Sequence, residues 1–118
     1  MIPPKNRPEI IIFDMDGVLV NADSSWQFVH KAFHVDNDDN IKRYLNGEID
    51  YPEFMRRDIR LWGRVHIGTI AKILERVPLM KGAKQTLHQL KKLKYKTCIL
   101  SGGISILAER MKDELGID

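Results

Sequence analysis

Cysteine is nearly absent: Cys98 is the single one in 118 residues. One thiol cannot build an intrachain disulfide framework, which excludes the stapled scaffold of a small secreted domain. Its place in the apolar run Thr97-Cys98-Ile99-Leu100 makes it an expected core residue. Long hydrophobic runs are missing too. No stretch approaches the roughly 20 apolar residues that span a bilayer. The opening Met1-Ile2-Pro3-Pro4-Lys5-Asn6-Arg7-Pro8 has no apolar core of a signal peptide and reads as a loose leader. There is no internal repeat and no low-complexity tract. Neither sign of charge dominates: 19 Lys and Arg against 16 Asp and Glu leave a net charge of +3. The lysine-rich stretch 84–96 has no stacking aromatic beyond Tyr95, so it reads as a solvated helix face and not as a nucleic-acid stripe. A reducing cytoplasm is the default location. With 43% hydrophobic and 30% charged residues, one folded unit is expected, burying roughly two-thirds of its unfolded surface.

What is present is concentrated at two places. In Ile10-Ile11-Ile12-Phe13-Asp14-Met15-Asp16-Gly17, an apolar run ends in two aspartates one residue apart. Residues i and i+2 of a strand point the same way, so Asp14 and Asp16 can serve one site. Gly17 lets the backbone turn sharply out of the strand. The alternative is a pair of solvated loop aspartates. The second place is Ser101-Gly102-Gly103, between the apolar run 97–100 and an amphipathic stretch carrying Ile104, Leu107, Met111 and Leu115. Glycines that admit a close backbone approach, a hydroxyl and a helix N-terminus together suit a phosphate, although a Gly-Gly turn is often only a turn.

Between these places the chain reads as helical. Ser24 with Gln27 forms a capping box, followed by Trp26, Val29 and Phe33 at helical spacing. The stretch from Asp36 to Asn40 resembles a calcium loop, but its sixth position is Ile41 and its twelfth Gly47, so helix capping before Ile41–Leu45 is the better reading. Asp50, Pro52 and Glu53 open another helix, whose inner stripe is Met55, Ile59 and Trp62. A short helix spans 68–76. After Gly82 comes a helix with Ala83, Leu87 and Leu90 facing inward, and Gly116 closes the last one. Strand, helical insert, helix, strand, helix argues for a parallel α/β sheet with its sites at the carboxyl ends of the strands. Both motifs fall at such ends.

On these residues the chain resembles the haloacid dehalogenase superfamily of phosphatases, within it the phosphoserine phosphatase-like branch. Asp14-Met15-Asp16-Gly17-Val18-Leu19-Val20 is similar to its first motif, and Ser101-Gly102-Gly103 to its second. The resemblance implies a partial Rossmann-like parallel sheet built from residues 1–20 and 79–118, with 21–78 as an inserted helical cap. It implies a magnesium-dependent phosphomonoester phosphatase acting on a small phosphorylated metabolite of the phosphoserine kind. Asp14 is then the nucleophile and Asp16 the general acid and base. Mg2+ sits on the Asp14 carboxylate and the Asp16 carbonyl, and Ser101 with Gly102 holds the phosphate. Asp23 falls where a glutamate meets the substrate amino group and is one methylene shorter. Arg56 falls where an arginine holds the substrate carboxylate. The structural alternatives are a turn residue before Ser24 and a surface arginine beside Arg57 and Arg60.

The same resemblance implies a lysine and an acidic pair on later strands, and neither is found after Gly103. A fragment of a longer phosphatase, a split protein completed by a second chain, and a short form that associates with itself all fit. An open sheet edge is expected in each case. A non-catalytic module that binds a phosphorylated ligand or a partner chain is the alternative function.

Overall fold

The computed structural model describes residues 7–118, and most of the leader expected over 1–8 lies outside them. β1 (Ile10–Phe13) and β2 (Lys96–Ile99) form a two-stranded parallel sheet, with Ile10 opposite Lys96 and Phe13 opposite Ile99. Both strands lie within a residue or two of their expected limits. Six helices accompany them among the described residues: α1 (Ser25–Ala32), α2 (Asp38–Leu45), α3 (Tyr51–Leu61) and α4 (Ile67–Glu75) between the strands, then α5 (Ala83–Lys92), and α6 (Ser105–Leu115) after β2. The chain is an α/β protein. None of these helices is long and apolar enough to cross a membrane.

Alternation along the strands decides which side of the sheet is covered. Thr97 is buried, and Phe13 and Ile99 pack against the core. Ile10 and Ile12 on the other side are 54% and 60% exposed, Cys98 opposite Ile12 is exposed, and Leu100 just beyond β2 is 73% exposed. Cys98 is therefore not the core residue its apolar setting implied. A two-stranded sheet has helices enough for one face only, and Cys98 is on the other. The edge of β1 away from β2 is unpaired among the described residues.

The core lies below the covered face. Met15, Leu19 and Val20 from the turn after β1 meet Leu74 and Val77 at the end of α4 and Leu107 and Met111 of α6, all essentially inaccessible. Burying side chains of this size contributes about 1.5–3 kcal/mol each. Arg110 of α6 joins the insert to this core. Its Nη1 donates to the carbonyls of Leu74 (2.8 Å) and Val77 (2.7 Å), and its Nε to Glu114 (2.8 Å). These carbonyls lie at and just beyond the end of α4, where a helix runs out of backbone donors. Charge-assisted bonds of this kind are worth about 1.5–3 kcal/mol. Arg110→Met, which keeps most of the stem, is expected to lower the thermal midpoint followed by far-ultraviolet circular dichroism by roughly 5–12 °C. An unchanged midpoint would show that water replaces the guanidinium without loss.

Local signals place most helix ends. Ser24 accepts from the Gln27 N–H (3.2 Å), and Asp50 from the Glu53 N–H (2.9 Å). Gly116 closes α6 with φ +66°, a backbone conformation natural to glycine. The second halves of both capping boxes do not form. The Gln27 side chain donates to Asn37, and Glu53 binds Arg56 and Arg57. The acids before Ile41 serve the start of α2 as expected: Asp36 Oδ1 accepts from the Asp38 N–H (3.2 Å), and Asp38 and Asp39 lie in the first turn, while Asn37 and Asn40 turn inward. One expectation is corrected. In α3, Ile59 is 48% exposed, and Asp58 takes the inner position instead.

Candidate active site

β1 ends at Phe13, whose carbonyl accepts from Leu100 N–H (2.9 Å), so both aspartates lie past the strand and not on it. Asp14 is exposed, with Oδ1 accepting from the next N–H, that of Met15, at 2.7 Å. Met15 is fully buried and anchors the segment, and Gly17 turns it at φ +75°. Asp16 is half-buried. Its Oδ2 accepts from the backbone N–H (3.0 Å) and the hydroxyl (3.2 Å) of Ser25. Its Oδ1 is buried and has no partner. A buried carboxylate oxygen without a donor is an uncommon expense in a folded chain and calls for an explanation.

Ser25 joins the two motifs. While its hydroxyl donates to Asp16, it accepts from the N–H of Ile104 (2.9 Å), the residue that caps α6. Nothing in the sequence reading singled it out, since one serine is enough to cap α1 and Ser24 does so. The tandem Ser24-Ser25 was the available signal. Gly103 is where the motifs touch. A Cβ there would come within 3.0 Å of Met15 Cε, Ser25 Oγ and Asp16 Oδ2, so the close approach requires glycine. In the loop itself, Ser101 Oγ accepts from Gly103 N–H (2.9 Å). The insert reaches the same loop: Trp26 Nε1 donates to the Gly102 carbonyl (3.0 Å), with Tyr51 Oη at 3.4 Å.

Asp23 and Arg56 are not drawn in. Asp23 is exposed on the bend before Ser24, beside a surface hollow shared with Asn21, Gln27 and Lys31. The guanidinium of Arg56 pairs with Glu53 on its own helix (2.9 Å), and no hydrogen bond links it to Asp14, Asp16 or Ser101 among the described residues. Arg56 first, then Arg57, holds the Glu53 carboxyl below its usual range by hydrogen bonding. An exposed pair of this kind is weak and readily exchanged for another anion. A hollow of about 620 Å³ lies between α5 and α6, lined by residues such as Lys84, His88 and Asp113, away from both motifs.

The share of a magnesium site that this chain can offer is small but suitable. Among the described residues no three His, Cys, Asp or Glu side chains gather for a metal. Magnesium commonly takes only one or two carboxylates, keeps several waters and binds a substrate phosphate. The exposed Asp14 carboxylate fits that pattern. So does the Asp16 carbonyl, which accepts no hydrogen bond among the described residues.

A family model, that of the haloacid dehalogenase-like hydrolases, matches residues 8–118. The chain belongs to that family. Phosphoserine phosphatase of Archaeoglobus fulgidus is 34% identical over 110 residues, 92% of this chain and 32% of that protein. Phosphoserine phosphatase of Methanocaldococcus jannaschii is 26% identical over 115 residues, 97% of this chain and 54% of that one. The chain thus spans about a quarter to a half of the length of the curated relatives it matches. Among solved structures, a phospho-aspartyl intermediate analogue of phosphoserine phosphatase superposes with a TM-score of 0.75 at 25% identity, covering 96% of this chain and 55% of that one. A haloacid dehalogenase-family hydrolase of Salmonella enterica serovar Typhi reaches 0.82 over 100% of this chain and 42% of that one, at 23% identity, and speaks for the Rossmann-like fold.

Proposed function

We propose that this haloacid dehalogenase-like chain carries the nucleophile and the phosphate loop of a magnesium-dependent phosphomonoester phosphatase that acts on phosphoserine or a close analogue through an aspartyl-phosphate. The observation that carries the reading is the Ser25 bridge, which brings Asp16, with its unpartnered Oδ1, against the Ser101–Gly103 loop. Asp14 attacks phosphorus, the ester bond to the alcohol breaks, and the alkoxide takes a proton from Asp16. Asp16 then takes a proton from water, which attacks the same phosphorus and frees Asp14 and phosphate. Magnesium, when bound by Asp14 and the Asp16 carbonyl, supplies charge neutralisation between carboxylate and phosphoryl group. Ser101 and Gly102 receive the phosphate, the Ser101 hydroxyl being free to donate while its oxygen accepts from Gly103 N–H.

In the same reading, residues 21–78 act as a cap over a core of 1–20 and 79–118, a role supported by the contacts of Trp26 and Tyr51 with Gly102. Asp23 and Arg56 meet the amino and carboxylate groups of the substrate, Arg56 by exchanging Glu53 for it. A cytoplasmic location suits a chain with one exposed thiol. The test is phosphate release from phosphoserine and from a generic aryl phosphate, with and without magnesium. Magnesium-dependent release is expected. No release, together with no orthophosphate binding in the presence of magnesium, overturns the proposal.

The bare sheet face favours a second reading, a non-catalytic module that docks a partner chain or a second copy through Ile10, Ile12 and Leu100. A monomer on sizing chromatography with no phosphate affinity by calorimetry would dismiss it.

A further inference from the structure

The insert holds a buried polar chain that the proposed chemistry does not use. Asp58 accepts from Asn37 Nδ2 (2.8 Å), Asn40 Nδ2 (3.0 Å) and His30 Nε2 (3.2 Å), all of them buried. Trp62 Nε1 donates to His30 Nδ1 (2.8 Å). An indole N–H only donates, so Nδ1 must accept, and the imidazole proton sits on Nε2, facing Asp58. That assigns the tautomer and fixes the ring. Trp62 in turn stacks on Trp26, with centroids 5.7 Å apart and planes at 27°. The chain ends at the phosphate loop, where the Trp26 Nε1–H meets the Gly102 carbonyl.

We propose that Trp26 is a positioning residue for the Ser101–Gly103 loop, held in place by the buried Asp58–His30–Trp62 chain. The inference rests on the reading of that loop as a phosphate cradle. The carbonyl of Gly102 and the N–H of Gly103 belong to one planar peptide and point in opposite directions. Trp26 holds the oxygen end (3.0 Å) and Ser101 Oγ the hydrogen end (2.9 Å). Glycine flanks that plane on both sides, so without a clamp it turns over at little cost. Turned over, it sets a carbonyl oxygen beside Ser101 Oγ, whose hydroxyl then donates inward and is lost to an anion. The clamp therefore keeps the Ser101 hydroxyl free to donate to the phosphate. Its control reaches back through the aromatic stack to the buried carboxylate of Asp58.

The experiment compares wild type with Trp26→Phe, which keeps a ring against Trp62 and removes the N–H. Amide exchange at Gly103 is followed by NMR, and orthophosphate affinity by titration in magnesium. We expect Gly103 exchange to rise about tenfold and orthophosphate affinity to fall about three- to tenfold, as for the loss of one hydrogen bond. Gly103 exchange equal to wild type overturns the clamp, whatever orthophosphate does. If Gly103 exchange rises but wild type binds no orthophosphate, the clamp stands and the phosphate-cradle reading fails. Should Trp26→Phe not fold, benzothienylalanine at position 26 keeps the bicyclic shape without the N–H, and the same outcomes apply.

Discussion

Asp14→Asn is expected to reduce magnesium-dependent phosphate release by a factor of about 10³ or more while leaving the fold untouched. Asp14 is exposed, and its hydrogen bond is from the adjacent Met15 N–H at 2.7 Å. The amide oxygen of asparagine can accept that bond as the carboxylate does. What changes is the chemistry: a neutral amide is a poor nucleophile toward phosphorus and gives no aspartyl-phosphate. A structural role for Asp14 predicts the reverse, a lower melting temperature with residual activity in the folded fraction. A second readout separates charge from position. Without divalent cation, orthophosphate should bind Asp14→Asn at least as tightly as wild type, because one negative charge facing the anion is gone. Turnover at the wild-type rate in the variant would remove Asp14 from the reaction.

Asp58→Ala carries the largest expected cost in stability. The carboxylate is 2% exposed and accepts three hydrogen bonds, from His30, Asn37 and Asn40. Truncation strands three buried donors at once, each with a desolvation penalty of about 1–3 kcal/mol. Such penalties do not add fully, and a total of about 3–5 kcal/mol is expected, as for other broken buried networks. Against the roughly 5–15 kcal/mol that holds a domain of this size, that is at least about a fifth of the margin. Asp58→Asn is the graded comparison. Its single oxygen at the Oδ2 position keeps His30 and Asn37, while its NH2 faces Asn40 donor to donor, so about 1–3 kcal/mol is lost. Urea unfolding should rank wild type above Asp58→Asn above Asp58→Ala. A cost below about 0.5 kcal/mol for Asp58→Ala would mean that water fills the site.

The stability prediction turns on a residue whose burial the local pattern did not reveal. A hydrophobic stripe chooses by apolarity, and Met55, Ile59 and Trp62 form one. The folded chain instead buries Asp58 and exposes Ile59, because Asn37 and Asn40 arrive from another helix to receive the carboxylate. No local pattern contains that meeting. Cys98 was misplaced for a related reason: whether an apolar strand is covered depends on how many helices the sheet has, which no four-residue window records. The features that were legible are those settled within a turn of chain, such as the caps at Ser24 and Asp50 and the left-handed Gly116. The two motifs were legible through residue type. Their joining through Ser25 was not, because Ile104 is 79 positions away in sequence.

The register that sets Ile10 against Lys96 also fixes an order of events. On a ribosome adding about 5–20 residues per second, β1 emerges and then waits on the order of 4–17 s for the strand it pairs with. The helices between them make mostly local contacts and fold far faster than that, within about a millisecond once released. During the wait, the run from Ile10 to Phe13 has no partner. Of the residues proposed to carry the chemistry, Asp14 and Asp16 leave the tunnel well before Ser101 and Gly102 and reach their places only with them.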